Sequence, residues 1–147
     1  MAGYIISVLG GKGGVGKSQV STNLSFSFSA EIRNKVLLLD FDQKASGDQN
    51  FLTGLKSKKT IKDLSEFSGT LDARSIQQFI AMHPQNVSYI GMPTDPMESE
   101  NINVEGMGKT LKNITSVFPI TIIDCGSELN ELTLKALEFS TLIFLVV

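Results

Sequence analysis

Eight residues near the start constrain this chain more than any others. Gly11-Lys12-Gly13-Gly14-Val15-Gly16-Lys17-Ser18 fits G-x-x-x-x-G-K-S/T at every defined position. An apolar, β-branched run, Tyr4–Leu9, precedes the motif and a helical pattern follows it, which is the context the motif needs. Glycines carry no Cβ, so backbone N–H groups can converge on phosphate oxygens. A helix opening near Lys17 adds the positive end of its dipole. The Lys17 ammonium is expected to reach the β- and γ-phosphates of a nucleotide, and the Ser18 hydroxyl to ligate Mg²⁺. Gly11 through Gln19 therefore form the expected nucleotide-binding set.

The rest of the chain reads as alternating strands and helices. Strand-like runs fall at Tyr4–Leu9, Lys35–Asp40, Val87–Met92, Ile120–Asp124 and Thr141–Val147. All five are apolar on both faces, as expected of strands buried between two helix layers. Val104, Met107, Leu111, Ile114 and Phe118 step by three and four and give one apolar stripe. Lys17–Ala30, with Val20, Leu24 and Phe28 on one face, also reads as a helix, as do Leu71–Met82 and Asn130–Phe139. Thr60–Phe67 reads as a short helix, with Thr60 as N-cap and Asp63 in the capping-box position. This alternation predicts an α/β fold, a mainly parallel sheet between helices in one domain over residues 1–147. The last run ends without a following helix. The expectation is a domain that continues past Val147 and of which these residues are the N-terminal portion; an edge or final strand is the alternative.

Two strands end in carboxylates. Leu39-Asp40-Phe41-Asp42 places acids at i and i+2, which point the same way in an extended segment. Ligands of α/β sheets bind beyond the carboxyl ends of strands, so this pair is expected to face the phosphate site. Ile120–Asp124 is an apolar strand ending in Asp, the Walker B pattern. A carboxylate there holds Mg²⁺ opposite the loop hydroxyl, which makes Asp124 the candidate.

Lys12 inside the loop makes KGGVGKS a deviant Walker A motif, and with it the chain resembles the MinD/ParA family of P-loop ATPases. That resemblance covers essentially the whole chain. It implies an ATP- and Mg²⁺-dependent switch that forms a homodimer around the nucleotide. It implies that Lys12 reaches the partner's nucleotide, that Asp42 positions or activates the attacking water, and that Asp40 supports the Mg²⁺ shell or the loop. Gly126 would offer a backbone N–H near the γ-phosphate. Cys125-Gly126-Ser127 departs from the family's D-x-P or D-x-x-G pattern after Walker B. Segments around Ile90–Pro96 and Glu131–Glu138 are similar to CpaE/TadZ-type proteins, which localise pilus-assembly machinery. Flagellar, division and partition ATPases share the same motifs, so the expected partner is a protein of a polar or membrane-associated machine. The rival reading is a nucleotide-binding scaffold with little or no hydrolysis.

Composition narrows the classes. One cysteine among 147 residues excludes a disulfide framework and a cysteine-ligated cluster. Thirteen basic against fifteen acidic side chains leave −2, with no field to hold nucleic acid non-specifically. No apolar run approaches the ~20 residues of a membrane span. A cytoplasmic protein is expected, peripheral at a membrane or cell pole. His83, before Pro84, is expected to be a surface residue at a helix end, and Lys56, Lys58, Lys59 and Lys62 a solvated face.

Overall fold

The computed structural model describes residues 3–10, 16–44 and 54–147. Among the described residues six strands form one sheet: β1 (Tyr4–Gly10), β2 (Val36–Phe41), β3 (Ala81–His83), β4 (Val87–Ile90), β5 (Ile120–Cys125) and β6 (Leu142–Val146). Their order across the sheet is β3-β4-β2-β5-β1-β6. All pairs are parallel except β3 with β4, an antiparallel hairpin. Its turn places Asn86 at φ 65°, a left-handed conformation that asparagine tolerates.

The helices among the described residues include α1 (Lys17–Ile32), α2 (Ile61–Ser65), α3 (Pro96–Ser99), α4 (Val104–Ile114) and α5 (Glu131–Phe139). Strand alternation sorts the core into two faces. Ile6, Val8, Leu38, Ile122 and Tyr89 lie under α1, against Val20, Leu24 and Phe28. Ile5, Leu37, Leu39, Phe41 and Ile123 face the other way, onto Ile61 and Leu64 of α2, Met107, Leu111 and Ile114 of α4, and Leu132 and Ala136 of α5. The fold is thus the three-layer arrangement expected of a P-loop domain. Asn103 and Asn130 cap α4 and α5, accepting from Gly106 N–H at 3.0 Å and Thr133 N–H at 2.9 Å. Asp63 closes the expected capping box by accepting from Thr60 N–H at 2.8 Å.

Three expectations need correction. Leu71–Met82 is not a helix: it holds a 3₁₀ turn at Ser75–Gln78 and then β3. Ile76, Phe79 and Ile80 do fall at i, i+3 and i+4, and all three are buried, as is Leu71. The backbone of Ala81–His83, however, is taken by the hairpin ladder with β4, and that pairing overrides the helical period. His83 therefore ends a strand, not a helix. Its Nδ1 accepts from Gln85 N–H at 3.1 Å, and its ring meets Phe26 edge-on at 4.8 Å. The third correction is β6, which is not buried between helix layers. It pairs with β1 at the sheet's edge, and Leu142, Ile143, Phe144 and Leu145 are 37–62% exposed.

Candidate nucleotide-binding site

The carboxyl ends of β1, β5 and β2 lie side by side. Asp124 is the register partner of Val8 on one side and of Asp40 on the other. Val8, Leu38 and Ile122 belong to the face under α1, and Asp40 and Asp124 continue that alternation. The two carboxylates thus share the face that carries α1, and both are buried, at 1% and 0% exposure. The burial of Tyr89, and after it the charges of Asp40 and Asp124, raise the phenol's pKa well above its ordinary value.

Helix α1 starts where the motif predicts. Gly16 is its N-cap at φ 82°, ψ 13°, a left-handed conformation that a Cβ would disfavour. Gly16 contributes no side-chain cap, and the first turn carries no acid, so the positive helix end meets no carboxylate of its own. Val20 N–H donates to Gly16 O at 3.0 Å and starts the helical ladder. Ser18 is half-buried in the first turn and Gln19 is exposed. Gly11, Lys12, Gly13, Gly14 and Val15 lie outside the described residues, as does the side chain of Lys17.

Strand β2 ends at Phe41, and Asp42 is the first residue beyond it. Its N–H donates to Asp40 Oδ1 at 3.0 Å, and its own Oδ1 accepts from Lys44 N–H at 3.1 Å. An ideal Cβ on Gly126 would lie 3.4 Å from Asp42 Oδ1, so the segment after β5 rests against this carboxylate. Cys125 is buried in the α4–α5 face of the core, as a packing residue.

The donors available for a cation are hydroxyl and carboxylate oxygens: Ser18, Asp40 and Asp124. Among the described residues no group of three or more His, Cys, Asp or Glu is arranged as a closed metal cage. That combination suits Mg²⁺, which keeps one or two protein carboxylates and takes its remaining ligands from water and phosphate. Two participants carried no sequence signal. Gln43 and Asn130 meet at 2.9 Å across 87 residues of chain, beside Asp42.

A family profile described as AAA domain matches residues 3–147. The chromosome partitioning protein ParA of Myxococcus xanthus is 30% identical over 144 residues, covering 92% of this chain and 48% of its own. The antiactivator FleN of Pseudomonas aeruginosa is 25% identical over 146 residues, covering 97% and 50%. A ParA family ATPase from Chlorobium tepidum superposes with a TM-score of 0.88 at 23% identity, over 98% of this chain and 60% of that one. The septum site-determining protein MinD of Pyrococcus horikoshii, solved with Mg-ADP, gives 0.78 at 24% identity, over 98% and 57%.

The chain belongs to the MinD/ParA family of P-loop ATPases. It spans about half the length of the curated MinD/ParA relatives it matches. Two solved structures of this fold, the Pyrococcus horikoshii MinD and a cobyrinic acid a,c-diamide synthase of Mycobacterium smegmatis, hold Mg-ADP and an ATP analog with magnesium, respectively. No described helix is long and apolar enough to cross a membrane.

Proposed function

We propose that the protein is a Mg²⁺-dependent ATPase that works as a dimerisation switch and recruits or positions a cellular machine. The observation that carries this reading is the pairing of Asp40 with Asp124 at adjacent strand ends, on the face where Gly16 opens α1. Lys17 and the backbone of Gly11–Gly16 would bind the phosphates. Ser18 and Asp124 would hold Mg²⁺, with Asp40 beside them. Bound Mg²⁺ would neutralise charge on the β- and γ-phosphate oxygens. Asp42 would accept a hydrogen bond from the attacking water and orient it, and Gly126 N–H would face the γ-phosphate. Lys12 would reach the nucleotide of a second copy, so that ATP binding and dimer formation are coupled. A relative named for chromosome partitioning supports a positioning output. A pilus-localising role of the CpaE/TadZ type rests on the sequence resemblance alone.

The test pairs affinity with turnover in the full chain. Asp42→Ala should bind Mg·ATP as wild type does and lose about 10²–10⁴-fold in single-turnover phosphate release. Asp124→Ala should weaken Mg²⁺-dependent binding itself, because the metal shell is needed in the ground state too. Wild-type protein that binds ATP but releases no phosphate above background would leave a nucleotide-regulated scaffold instead. Unchanged turnover in Asp42→Ala would remove the water-orienting role from that carboxylate.

A further inference from the structure

The turn that carries Asp42 is tied to its surroundings by side-chain amides. Gln43 is half-buried, and both ends of its amide are engaged. Its Nε2 donates to the Ser99 carbonyl at the end of α3, at 2.5 Å. Its Oε1 accepts from Asn130 Nδ2 at 2.9 Å. Asn130 is used at both ends as well, since its Oδ1 accepts from Thr133 N–H and caps α5. One continuous hydrogen-bonded path therefore runs from α3 through Gln43 and Asn130 into the first turn of α5. It crosses the sheet at the carboxyl ends of β4, β2 and β5. On the strand side of this path Gly126 lies against the Asp42 carboxylate. Between the two segments is a cavity of about 10 Å³, lined by Asp42, Gln43, Gly126, Ser127 and Asn130 among others. That is about the space one water molecule needs. The neighbouring Lys44–Glu128 ion pair spans the same two segments but is largely exposed, 74% and 56%, so it holds them only weakly.

We propose that Gln43 and Asn130 form a positioning pair for the reaction, holding the Asp42 turn and the Gly126 segment in fixed relation and coupling both to the first turn of α5. The proposal rests on the ATPase reading for its kinetic consequence, but not for its structural one. Neither residue touches the nucleotide in this scheme. They act through Asp42. A displacement of about 1 Å in a group that orients a reactant can cost ~10²-fold in rate, while ground-state binding hardly changes.

Asn130→Asp is the discriminating variant. It keeps Oδ1 and the cap on Thr133 N–H, but replaces the donor to Gln43 with a second oxygen. Gln43→Ala breaks the same bond from the other side. Each, in the full chain, should lower single-turnover phosphate release by about 10–100-fold while Mg·ATP affinity stays within about twofold. The double variant should be no slower than the slower single one, because both remove one interaction. A merely structural role would move the melting temperature and affinity together with rate and would leave the two losses additive. Turnover like wild type in Asn130→Asp, or losses that multiply in the double variant, would overturn the proposal. Amide hydrogen exchange supplies a readout without chemistry. In Gln43→Ala, exchange should accelerate at Gly126–Asn130 and at Thr133, and stay unchanged in β2 and β5. If wild type itself shows no turnover, the ATPase reading fails and exchange alone decides: unaltered protection at Thr133 refutes the pair, and loss of protection sustains it.

Discussion

Buried beneath α1, the Tyr89 phenol lies within the field of both strand-end carboxylates, and burial first and those charges second raise its pKa. The sign of the consequence follows from linkage. In the unfolded chain a tyrosine gives up its proton near its ordinary pKa of ~10, while the folded protein retains it. The stability that goes with a neutral Tyr89 is complete below about pH 10 and is lost as the pH rises further. Tyr89→Phe cannot ionise in either state. Denaturant unfolding at pH 9 and at pH 11 should therefore show the variant gaining on wild type as the pH increases; a constant difference would mean that the phenol titrates as if exposed. The neighbouring carboxylates were legible in the sequence, because an apolar strand ending in Asp is a local pattern. Tyr89 was not, because its place under α1 depends on β4 pairing with β2, and nothing within a few residues of position 89 encodes that.

At the scale of the elements, α2 and α4 meet closely, and glycine permits it. An ideal Cβ on Gly106 would overlap the backbone carbonyl oxygen of Ser65, which ends α2. Two effects compete at Gly106→Ala. Helix propensity favours alanine by about 1 kcal/mol. Forcing an extra carbon into a packed contact typically costs about 1–3 kcal/mol, and a backbone oxygen, unlike a side chain, cannot rotate away. Steric cost should win, so Gly106→Ala should destabilise the protein by about 1 kcal/mol or more in urea unfolding. A stabilised variant would show that α2 slides freely over α4. The apolar stripe of α4 was readable from Val104, Met107, Leu111 and Ile114 alone, since helical spacing is a local property. The region from Leu71 to Met82 was misread because a hairpin pairing competes with the helix for the same backbone groups. Asp72 Oδ1 accepts from Arg74 and Ser75 N–H at 3.0 and 2.8 Å, which begins a helical turn. The chain then leaves it, because the open edge of β4 offers a full antiparallel ladder to Ala81–His83.

Taken whole, the molecule gathers its strand-end acids at the centre of the sheet and presents very different strands at its two sides. The strand-end acids were legible as such, and the structure sets Asp40 beside Asp124, while Gly11–Val15 lie outside the described residues. The Gln43–Asn130 link that ties the strand ends together could not be predicted, since polar residues 87 positions apart carry no spacing signal. At one side the sheet ends in β3, three residues long and followed by a turn. At the other it ends in β6, within the uncharged, proline-free run Thr141-Leu142-Ile143-Phe144-Leu145-Val146-Val147. Nothing in that run resembles the lysines and prolines with which proteins blunt an open strand. Such a stretch has the composition of segments that stack into cross-β fibres. A polypeptide of this sequence should therefore grow from one side only, strand upon strand through β6. Turbidity and thioflavin fluorescence should rise steeply with concentration, and Leu145→Lys should suppress both while leaving the circular dichroism of the monomer unchanged. If the lysine variant precipitates as readily as the parent, the growing surface lies elsewhere on the molecule.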